Sequence, residues 1–469
     1  MKRIFAVIAV LFMAVFVSAS LEGALELTWA NSELLEDNTY DAGEVQVAVD
    51  GSVAVAVWKQ YDSSGWGRIY SNYSNDGGAT WHNDQILEDN TGRHAYAPQV
   101  AVSGSNVVAV WYQWDGVTYN IYSNYSTNGG ATWHSDLLVE IDAGSAMVPQ
   151  VAIDGSNVVA VWRQLDPTYN SIYAAFSTNG GASWNSAGSI ENANRSAESP
   201  KVAMDGSNVV SVWYQYDASS DYRIYSNYST NGGQTWVGDQ QVESNPYQGE
   251  YQKVAINGSN AVVVWRQEDG TNYGIYSSYS TDGGANWSPD QLIEDNPGQA
   301  SNPDVAMSPT TAVVVWYQDD GTTYRVYSSY STDGGANWSP DEIVDTNSGR
   351  FANNPDVAIS GDIPVAVWYQ WDGSHTRVYS SYAEFVNVPA GGGGCFIATA
   401  AFGSPYERHV KTLTEFRDNH LLTNRPGMAF VRWYYRHSPV FADYIRRRQA
   451  ARAFVRTLLR PLAWLVSLW

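Results

Sequence analysis

The stretch Ser331-Thr332-Asp333-Gly334-Gly335-Ala336-Asn337-Trp338 decides the fold, because close copies of it occur six times in the chain. The shared pattern is Ser-x-Asp/Asn-Gly-Gly-x-x-Trp, and successive copies begin 51 or 52 residues apart. The copies begin at Ser74, Ser126, Ser177, Ser229, Ser280 and Ser331. A period this regular indicates an array of one repeated structural unit.

Each copy has the chemistry of a tight turn between two strands. Paired glycines permit positive φ angles, and the preceding Asp or Asn side chain accepts hydrogen bonds from turn amides. The pattern resembles the Asp-box, or BNR repeat, of the sialidase superfamily and of many unrelated β-propellers. The resemblance implies a β-propeller, but it does not by itself imply an enzyme, because function depends on the site and not on the fold.

Each unit reads as four short antiparallel strands, which together make one propeller blade. In the sixth unit we predict strands at 304–307, 311–318, 325–331 and 341–344. The second strand is a continuous apolar run, as expected of a strand covered on both faces. The third strand alternates Tyr with Ser and suits a half-buried position.

The second-strand tryptophan predicts seven blades. It occurs at Trp58, Trp111, Trp162, Trp213, Trp265, Trp316 and Trp368. The seventh unit lacks an Asp-box and a fourth strand, whereas residues 28–38 match the post-box segment 80–90. We therefore predict an all-β, seven-bladed propeller over 25–388, in which the N-terminal strand closes the last blade and removes the open sheet edges.

The first 19 residues read as a secretory signal peptide. A basic start, a short apolar run from Ile4 to Val17 and small residues around Ala19 fit export better than a membrane span. We expect an extracellular, cell-surface or periplasmic location. The only cysteine is Cys395, so no disulfide framework stabilises the chain.

Charge divides the chain into two parts. Residues 391–469 contain 12 Lys/Arg and 4 Asp/Glu, which leaves 14 Lys/Arg and 44 Asp/Glu for residues 1–390. An excess of about 30 negative charges repels phosphates, so the repeat region is not a nucleic-acid-binding module.

The C-terminal part begins with a glycine linker at 389–394, followed by a predicted small α-helical domain at 395–469. Its opening run, Cys395 to Gly403, resembles the CFI-box C-terminal domain of exported bacterial proteins, which implies sorting or anchoring. Cys395 could be a processing or lipidation point, or an ordinary buried thiol. The Arg-rich last helix, ending in Leu and Trp, suits either an anionic membrane surface or a solvated bundle face.

Candidate binding residues lie where the repeats differ. The Trp-x-Gln-x-Asp of each second strand recurs in every unit, so a structural role is expected for it. The residue after this Trp varies, and it lies where the second strand approaches the mouth of the propeller channel. This first set comprises Lys59, Tyr112, Arg163, Tyr214, Arg266, Tyr317 and Tyr369. A second set, on the innermost strands, comprises Gln46, Gln99, Gln150, Lys201, Lys253, Asp304 and Asp356. Both sets are ligand contacts or solvated channel walls.

Three tryptophans fall outside the repeated positions: Trp66, Trp114 and Trp371. All three lie in loops between second and third strands, and in a closed ring their blades are neighbours. An aromatic platform of this kind suits sugar rings or an apolar patch on a partner. The alternative is that they cap the ends of their blades.

The resemblance to sialidases raises an exo-acting glycoside hydrolase as an alternative. That activity, as the resemblance implies, needs an arginine cluster, a Tyr nucleophile paired with Glu, and an Asp acid/base. Arg163 and Arg266 supply two arginines, but neither a third nor a unique Tyr/Glu pair is evident, and no catalytic residue is assigned. We favour a non-catalytic module that binds glycans or surface proteins, without a metal or cofactor, and a structural envelope protein is a third interpretation.

Overall fold

The computed structural model describes residues 42–382 and Val455. Short gaps lie at 78–79, 90–91, 141–143, 193–194, 220, 269, 271, 297, 310, 346–349, 361–362 and 372–375. The described strands belong to one compact unit, Asn31–Glu384. A second unit, Met1–Ala30 with Phe385–Trp469, contributes only Val455 to the described residues.

Several sequence predictions lie outside the described residues. They are the signal peptide at 1–19, the closing strand at 28–38, the linker at 389–394, Cys395 and the helical domain at 395–469. Every regular element that the structure describes within 42–382 is a strand. The described part of the chain contains no helix with the length and apolarity needed to cross a bilayer.

The strands form seven antiparallel sheets, which we number 1 to 7 along the chain. Six sheets contain four strands in consecutive order, and the described part of sheet 7 contains three. The four-stranded unit predicted from the sequence is therefore confirmed in sheets 1 to 6. The first strand of each sheet contacts the first strand of the next, an arrangement typical of β-propellers.

The first strands carry the second set of polar candidates. They are β1 (Ala42–Asp50), β5 (Ala95–Ser103), β9 (Ala146–Asp154), β13 (Ala197–Asp205), β17 (Gly249–Asn257), β21 (Ala300–Met307) and β25 (Ala352–Ser360). Their apolar residues pack against the preceding sheet, as Val100 and Val102 do. In β1 the equivalent residues Val47 and Val49 are exposed.

The second strands form the centre of the core. They are β2 (Val53–Tyr61), β6 (Asn106–Trp114), β10 (Asn157–Leu165), β14 (Asn208–Tyr216), β18 (Asn260–Glu268), β22 (Ala312–Asp319) and β26 (Ile363–Trp371). Alternate residues face opposite neighbours, because side chains alternate along a strand. Val55 and Val57 of sheet 1 pack against Ala109 and Trp111 of sheet 2. The prediction of strands buried on both faces is confirmed.

The third strands are more buried than predicted. They are β3 (Gly67–Ser74), β7 (Tyr119–Ser126), β11 (Asn170–Ser177), β15 (Tyr222–Ser229), β19 (Tyr273–Ser280), β23 (Tyr324–Ser331) and β27 (Thr376–Tyr382). In β3 only Tyr70 and Tyr73 are partly exposed. The adjacent sheet and the Asp-box tryptophan cover faces that the Tyr/Ser alternation had suggested were open to solvent.

The fourth strands are short and follow the Asp-box turns. They are β4 (Gln85–Ile86), β8 (Leu137–Leu138), β12 (Asn185–Ser189), β16 (Gln240–Gln241), β20 (Gln291–Leu292) and β24 (Glu342–Ile343). An acidic residue just beyond each fourth strand is buried. In five sheets its carboxylate accepts a hydrogen bond from the backbone amide of a third-strand residue. In sheet 4, for example, Ile224 N donates to Glu243 at 2.8 Å. Burial raises the pKa of Glu243 to about 8.

The Asp-box turns pack onto the preceding sheet. In sheet 2, Ser126 Oγ accepts the Gly130 amide at 3.0 Å, and Asn128 Oδ1 accepts the Thr132 amide at 3.0 Å. Gly130 has a φ of 87°, and a Cβ there would lie 2.9 Å from Val55 of sheet 1. Glycine is thus needed both for the turn and for the close approach between sheets.

Three box tryptophans link their sheet to the one before. Trp184, Trp287 and Trp338 donate from Nε1 to the hydroxyls of Ser123, Ser226 and Ser277 at 2.7 to 2.9 Å. At Trp133 and Trp236 the indole N–H is buried without this bond. In sheet 3 the position of the serine is occupied by Ala174.

Candidate functional site

Two kinds of loop meet at one end of the sheets, which we call the mouth face. In sheets 2 to 7 the end of the second strand is hydrogen-bonded to the loop before the first strand; in sheet 2, Trp114 N donates to His94 O at 3.4 Å. The Asp-box turn meets the first hairpin at the opposite end, where Gly129 N donates to Ser105 O at 2.9 Å.

The recurrent Trp-x-Gln-x-Asp residues are used inside the sheets. Trp162 Nε1 donates to Gln164 Oε1 at 2.7 Å, and both side chains are buried. In sheet 1, Asp62 Oδ1 accepts the amides of Ser64 and Trp66 and so shapes the loop to the third strand. These contacts account for the recurrence of the motif without a ligand.

A β-bulge interrupts every first strand at the mouth face. In sheet 1, Gly43 pairs with Lys59 and Gln46 with Val57, so two residues oppose Trp58. One residue of each bulge has a positive φ although it is not glycine. These residues are Glu44, Ala97, Val148, Ser199, Tyr251, Asn302 and Asn354, with φ from 46° to 57°. The bulge turns their side chains and amides toward the neighbouring sheet.

Six rings from sheets 1 and 2 form what we call the aromatic cluster. It begins at Trp66, whose ring lies edge-on to His94 at a centroid distance of 4.9 Å. His94 Nδ1 accepts the Gly67 amide at 2.9 Å, which fixes the ring orientation. His94 in turn lies 5.9 Å from Tyr96.

The cluster continues through sheet 2 to Trp114. Tyr96 stacks on Tyr112 at 5.2 Å, Tyr112 meets the edge of Tyr119 at 5.4 Å, and Tyr119 meets Trp114 at 5.1 Å. Trp66 and Trp114 are both half-buried. Two of the three tryptophans singled out in the sequence are therefore joined by a continuous series of ring contacts.

Trp371 is placed differently. Its side chain is 44% exposed, and its amide donates to Phe351 O at 2.9 Å. Within the described ranges no ring contact connects Trp371 to the aromatic cluster. Ring contacts thus connect two of the three tryptophans of the predicted platform, and the third, Trp371, lies outside the aromatic cluster.

Lys59 lies against the aromatic cluster. Its Nζ is 4.2 Å from the centroid of Tyr96 and 3.3 Å from Glu44 Oε1. The other oxygen of Glu44 accepts the Ala97 amide of sheet 2 at 2.6 Å. The lysine charge is thus neutralised by a carboxylate that also links two neighbouring bulges.

The two arginines of the first set are paired within the protein. Arg163 donates to Glu198 of the next sheet at 2.7 Å, and Arg266 forms an ion pair with Glu250. The guanidinium of Arg266 also lies between Tyr251 and Tyr273, at 4.6 and 4.3 Å from their centroids. Arg163 and Arg266 lie in sheets 3 and 5, and each is paired with a different carboxylate.

The tyrosines of the first set pack at the mouth face of their own sheets. Tyr214 meets Tyr222 at 4.8 Å, Tyr317 meets Tyr324 at 5.4 Å, and Tyr369 is 44% exposed. Burial raises the pKa of Tyr112 and of Tyr214. A raised pKa opposes the formation of the phenolate that a nucleophilic tyrosine would need.

The second set converges from different sheets. Lys253 Nζ lies 2.8 Å from Asp304 Oδ1 and 3.9 Å from Asp356 Oδ1, and these residues come from sheets 5, 6 and 7. Burial and the neighbouring charge of Lys253 lower the pKa of Lys201 to about 8. Gln46, Gln99 and Gln150 occupy the same strand position in sheets 1 to 3.

Sequence reasoning missed four contributors to the site: Glu44, His94, Tyr96 and Tyr119, the last of which begins a third strand. Glu44 and Tyr96 lie at the bulges, and His94 immediately precedes a first strand. The only available signal was their nearness to the start of these strands. Among the described residues no group of three or more His, Cys, Asp or Glu side chains is arranged to hold a metal ion.

The BNR/Asp-box repeat model matches residues 278–289 and 329–340, the boxes of sheets 5 and 6. A comparison with curated proteins gives no sequence match.

Several solved structures are similar at low identity. A Dyadobacter fermentans protein of unknown function is 14% identical, with 66% of this chain and 95% of that chain covered and a TM-score of 0.41. The GH93 α-L-arabinofuranosidase of Fusarium graminearum is also 14% identical, with 64% and 97% covered and a TM-score of 0.42.

The Trypanosoma rangeli sialidase is 13% identical, with 81% of this chain and 58% of that chain covered and a TM-score of 0.43. None of these likenesses assigns an activity to the chain. The six regular motifs, the turns that they form and the match of two of them to the family model lead to one conclusion: the chain carries BNR/Asp-box repeats.

Proposed function

We propose that this chain is an exported, non-catalytic protein that binds glycans at the bacterial cell surface through the aromatic cluster of sheets 1 and 2. The observation that carries the proposal is the continuous contact from Trp66 to Trp114 on the mouth face. Half-buried aromatic rings held by their neighbours present rigid apolar faces, on which the C–H face of a sugar ring can pack.

The polar residues beside the cluster suit hydroxyl groups better than a charged substrate. Glu44 has an exposed fraction of 42% and stands next to the rings, so it can accept hydrogen bonds from sugar hydroxyls. Lys59 is already neutralised by Glu44. We therefore expect neutral sugars to bind better than acidic ones.

The same chemistry supports binding without catalysis. Arg163 and Arg266 have internal carboxylate partners and lie two sheets apart. Burial raises the pKa of two tyrosines of the first set, Tyr112 and Tyr214. A glycoside hydrolase of sialidase type would need these groups free and brought together.

We further propose that the seven sheets are the blades of a closed β-propeller. The order of contacts between first strands, and the reach of Lys253 from sheet 5 to Asp356 of sheet 7, support a common axis. Among the described residues sheet 7 has three strands, and the sequence of residues 28–38 supplies a match for a fourth.

Export and attachment belong to the same proposal. Residues 1–19 would direct export, and residues 395–469 would sort or anchor the protein, with Cys395 as a processing or lipidation point. The cationic C-terminal helix would then lie on a membrane surface. A surface protein, instead of a glycan, is the partner to consider if no sugar binds.

The test is a glycan array probed with the full chain, with titration of the best ligand. We expect Trp66→Ala and Trp114→Ala each to weaken binding by about twofold to tenfold through loss of the ring contact alone, because one aromatic contact contributes roughly 0.5–1.5 kcal/mol beyond its buried area. Trp371→Ala is the matched control and should bind as the wild type, since this exposed tryptophan stands outside the cluster.

Three outcomes would contradict the proposal. Equal binding by all three variants would show that the cluster is not the site. Absence of any bound glycan would remove sugars as the ligand class. Release of fluorophore from a fluorogenic sialoside, lost in Arg163→Ala, would show catalysis. Thermal unfolding of each variant separates loss of binding from loss of folding.

A further inference from the structure

Four third strands carry an arginine at their second position: Arg68, Arg223, Arg325 and Arg377. In sheets 1, 4 and 6 the guanidinium is held at the mouth face. Arg68 lies 2.9 Å from Glu88, and Arg325 lies 2.6 Å from Asp345. Both acids follow the fourth strand of the same sheet. The repeat therefore builds a guanidinium site with a buried carboxylate beside it.

Sheet 4 shows the rest of this site. Arg223 Nε lies 3.0 Å from Asp217 Oδ2, and its terminal nitrogens donate to the carbonyls of Asn245, Pro246 and Tyr247 at 2.5 to 3.0 Å. These carbonyls belong to the loop between the fourth strand and the next first strand. A planar guanidinium suits several acceptors in fixed directions better than an ammonium does.

Sheet 5 keeps the site but lacks the arginine. The equivalent residue is Gly274, and a Cβ there would lie 2.7 Å from Glu294 Oε1 and 2.8 Å from Leu292 Cδ1, so the ends of these two side chains must move aside for a larger residue. Glu294 is 8% exposed and accepts the Ile275 amide at 2.8 Å, as its counterparts do in other sheets. A cavity of about 230 Å³ lies here. Its lining includes Gly274, Leu292, Glu294, Asp295, Asn296 and Gly298.

The carbonyl side of the site is also retained in sheet 5. Gln318 donates to the carbonyls of Asn296 and Gly298 at 2.9 and 3.0 Å. In sheet 4, Gln267 donates in the same way to Asn245 and Tyr247, the carbonyls that also receive Arg223. The loop backbone is thus held in the same manner whether or not an arginine is present.

Sheets 2 and 3 fill the position with shorter polar side chains. Asn120 donates to Asp115 at 3.0 Å, and Ser171 donates to Asp166 at 2.8 Å. Among the six sheets with a described fourth strand, only sheet 5 has no side chain at this position. Leu292 and Asp295 are exposed at the cavity wall, so a solute can reach it.

We propose that the sheet 5 cavity binds a guanidinium group supplied from outside the repeat region, in place of the arginine that sheets 1, 4 and 6 carry themselves. The ligand is a small alkylguanidine or the arginine side chain of a peptide or protein. The large excess of acidic residues in the repeat region raises the local concentration of such cations.

The test uses methylguanidine and the full chain, with methylurea as the neutral analogue of similar shape. We expect saturable binding of methylguanidine by calorimetry and an upward shift of the melting temperature, and neither effect with methylurea. Gly274→Arg should abolish the binding, because it fills the cavity with the side chain seen at Arg68 and Arg325. Its melting temperature should equal or exceed that of the wild type.

A second variant keeps the result clear if Gly274→Arg folds poorly. Arg325→Gly should open an equivalent cavity in sheet 6, lower the melting temperature and add a second methylguanidine site that restores it. N-acetylarginine amide and an Arg-containing peptide, compared with their Lys versions, separate a free solute from a peptide ligand. Equal effects of methylguanidine and methylurea, or unchanged binding in Gly274→Arg, would overturn the proposal.

Discussion

Trp236 has a buried indole N–H without a hydrogen-bond partner. The equivalent indoles of Trp184 and Trp287 donate to serine hydroxyls, but Ala174 occupies that position in sheet 3. We expect Ala174→Ser to raise the free energy of unfolding by about 1 kcal/mol, because it supplies an acceptor to a buried donor. Denaturant unfolding of the two proteins measures the difference.

The control is a double-mutant cycle with Trp236→Phe, which removes the donor. In that background Ala174→Ser should bring no gain, since the new hydroxyl has no indole to accept from. A gain of equal size in both backgrounds would show that the serine acts by another route.

At the scale of single residues the sequence separates structural tryptophans from the others. Trp111 and Trp162 recur in register, and both are almost fully buried. Their recurrence could not reveal the partner of each indole, because that depends on side-chain geometry across one or two residues. The indole of Trp162, for example, donates a hydrogen bond to Gln164, two positions along the same strand.

The bulge of the first strand sets the geometry of the mouth face. Ala97 has a φ of 46°, where an L-residue with a Cβ is strained by about 1–2 kcal/mol. We expect Ala97→Gly to leave the free energy of unfolding unchanged or raise it by up to about 1 kcal/mol, because relief of strain outweighs the added chain entropy. Chemical denaturation provides the measurement.

Ala101, in the same strand but outside the positive-φ positions, is the matched control. Ala101→Gly should destabilise by about 0.5–1 kcal/mol, as glycine does within strands. If both variants lose the same stability, the bulge position carries no strain that glycine relieves.

Strand positions could be predicted because the apolar runs and turn residues repeat with every unit. The bulges could not, because Ala97 and Val148 give no sequence sign of a positive φ. This limit extends to the site. Glu44 and Tyr96 take their places beside Lys59 and Tyr112 through the bulge, so only the structure identifies them as neighbours.

Closure of the ring is a property of the whole molecule, and a disulfide can test it. In sheet 1, Ser71 pairs with Gln85, and the repeat makes Ser380 and Glu33 their equivalents. We expect Glu33→Cys with Ser380→Cys, in a Cys395→Ser background, to form a disulfide, because paired strand residues lie within bonding range. It should stabilise the chain by about 2–4 kcal/mol. Thiol titration and peptide mass spectrometry detect the bond.

The control places the second cysteine at position 328 instead of 380. Ser328 is the equivalent residue of sheet 6, and it already pairs with Glu342. Glu33→Cys with Ser328→Cys should keep both thiols free. A disulfide in the control, or none in the test protein, would contradict closure by residues 28–38.

The location of the site depends on relations between sheets, which sequence spacing describes only in part. Spacing alone predicted that Trp66, Trp114 and Trp371 lie in loops between second and third strands of neighbouring blades. In the structure Trp114 and Trp371 are the last residues of their second strands, at the edge of those loops. Ring contacts join only Trp66 and Trp114. The rings that connect these two tryptophans come from two sheets, so no single repeat contains all the residues of the aromatic cluster.

The indole-to-serine bonds between sheets also bear on how such a chain changes over generations. Trp184 bonds to Ser123, and Trp338 bonds to Ser277, across the same kind of junction. Since the junctions at Trp184, Trp287 and Trp338 use the same pair, recombination that adds or removes one whole unit between such junctions recreates the bond at the splice. An exchange that cuts within a unit breaks one. Copy number can therefore drift in whole units, while the residues that distinguish one unit from another are reshuffled at the mouth face.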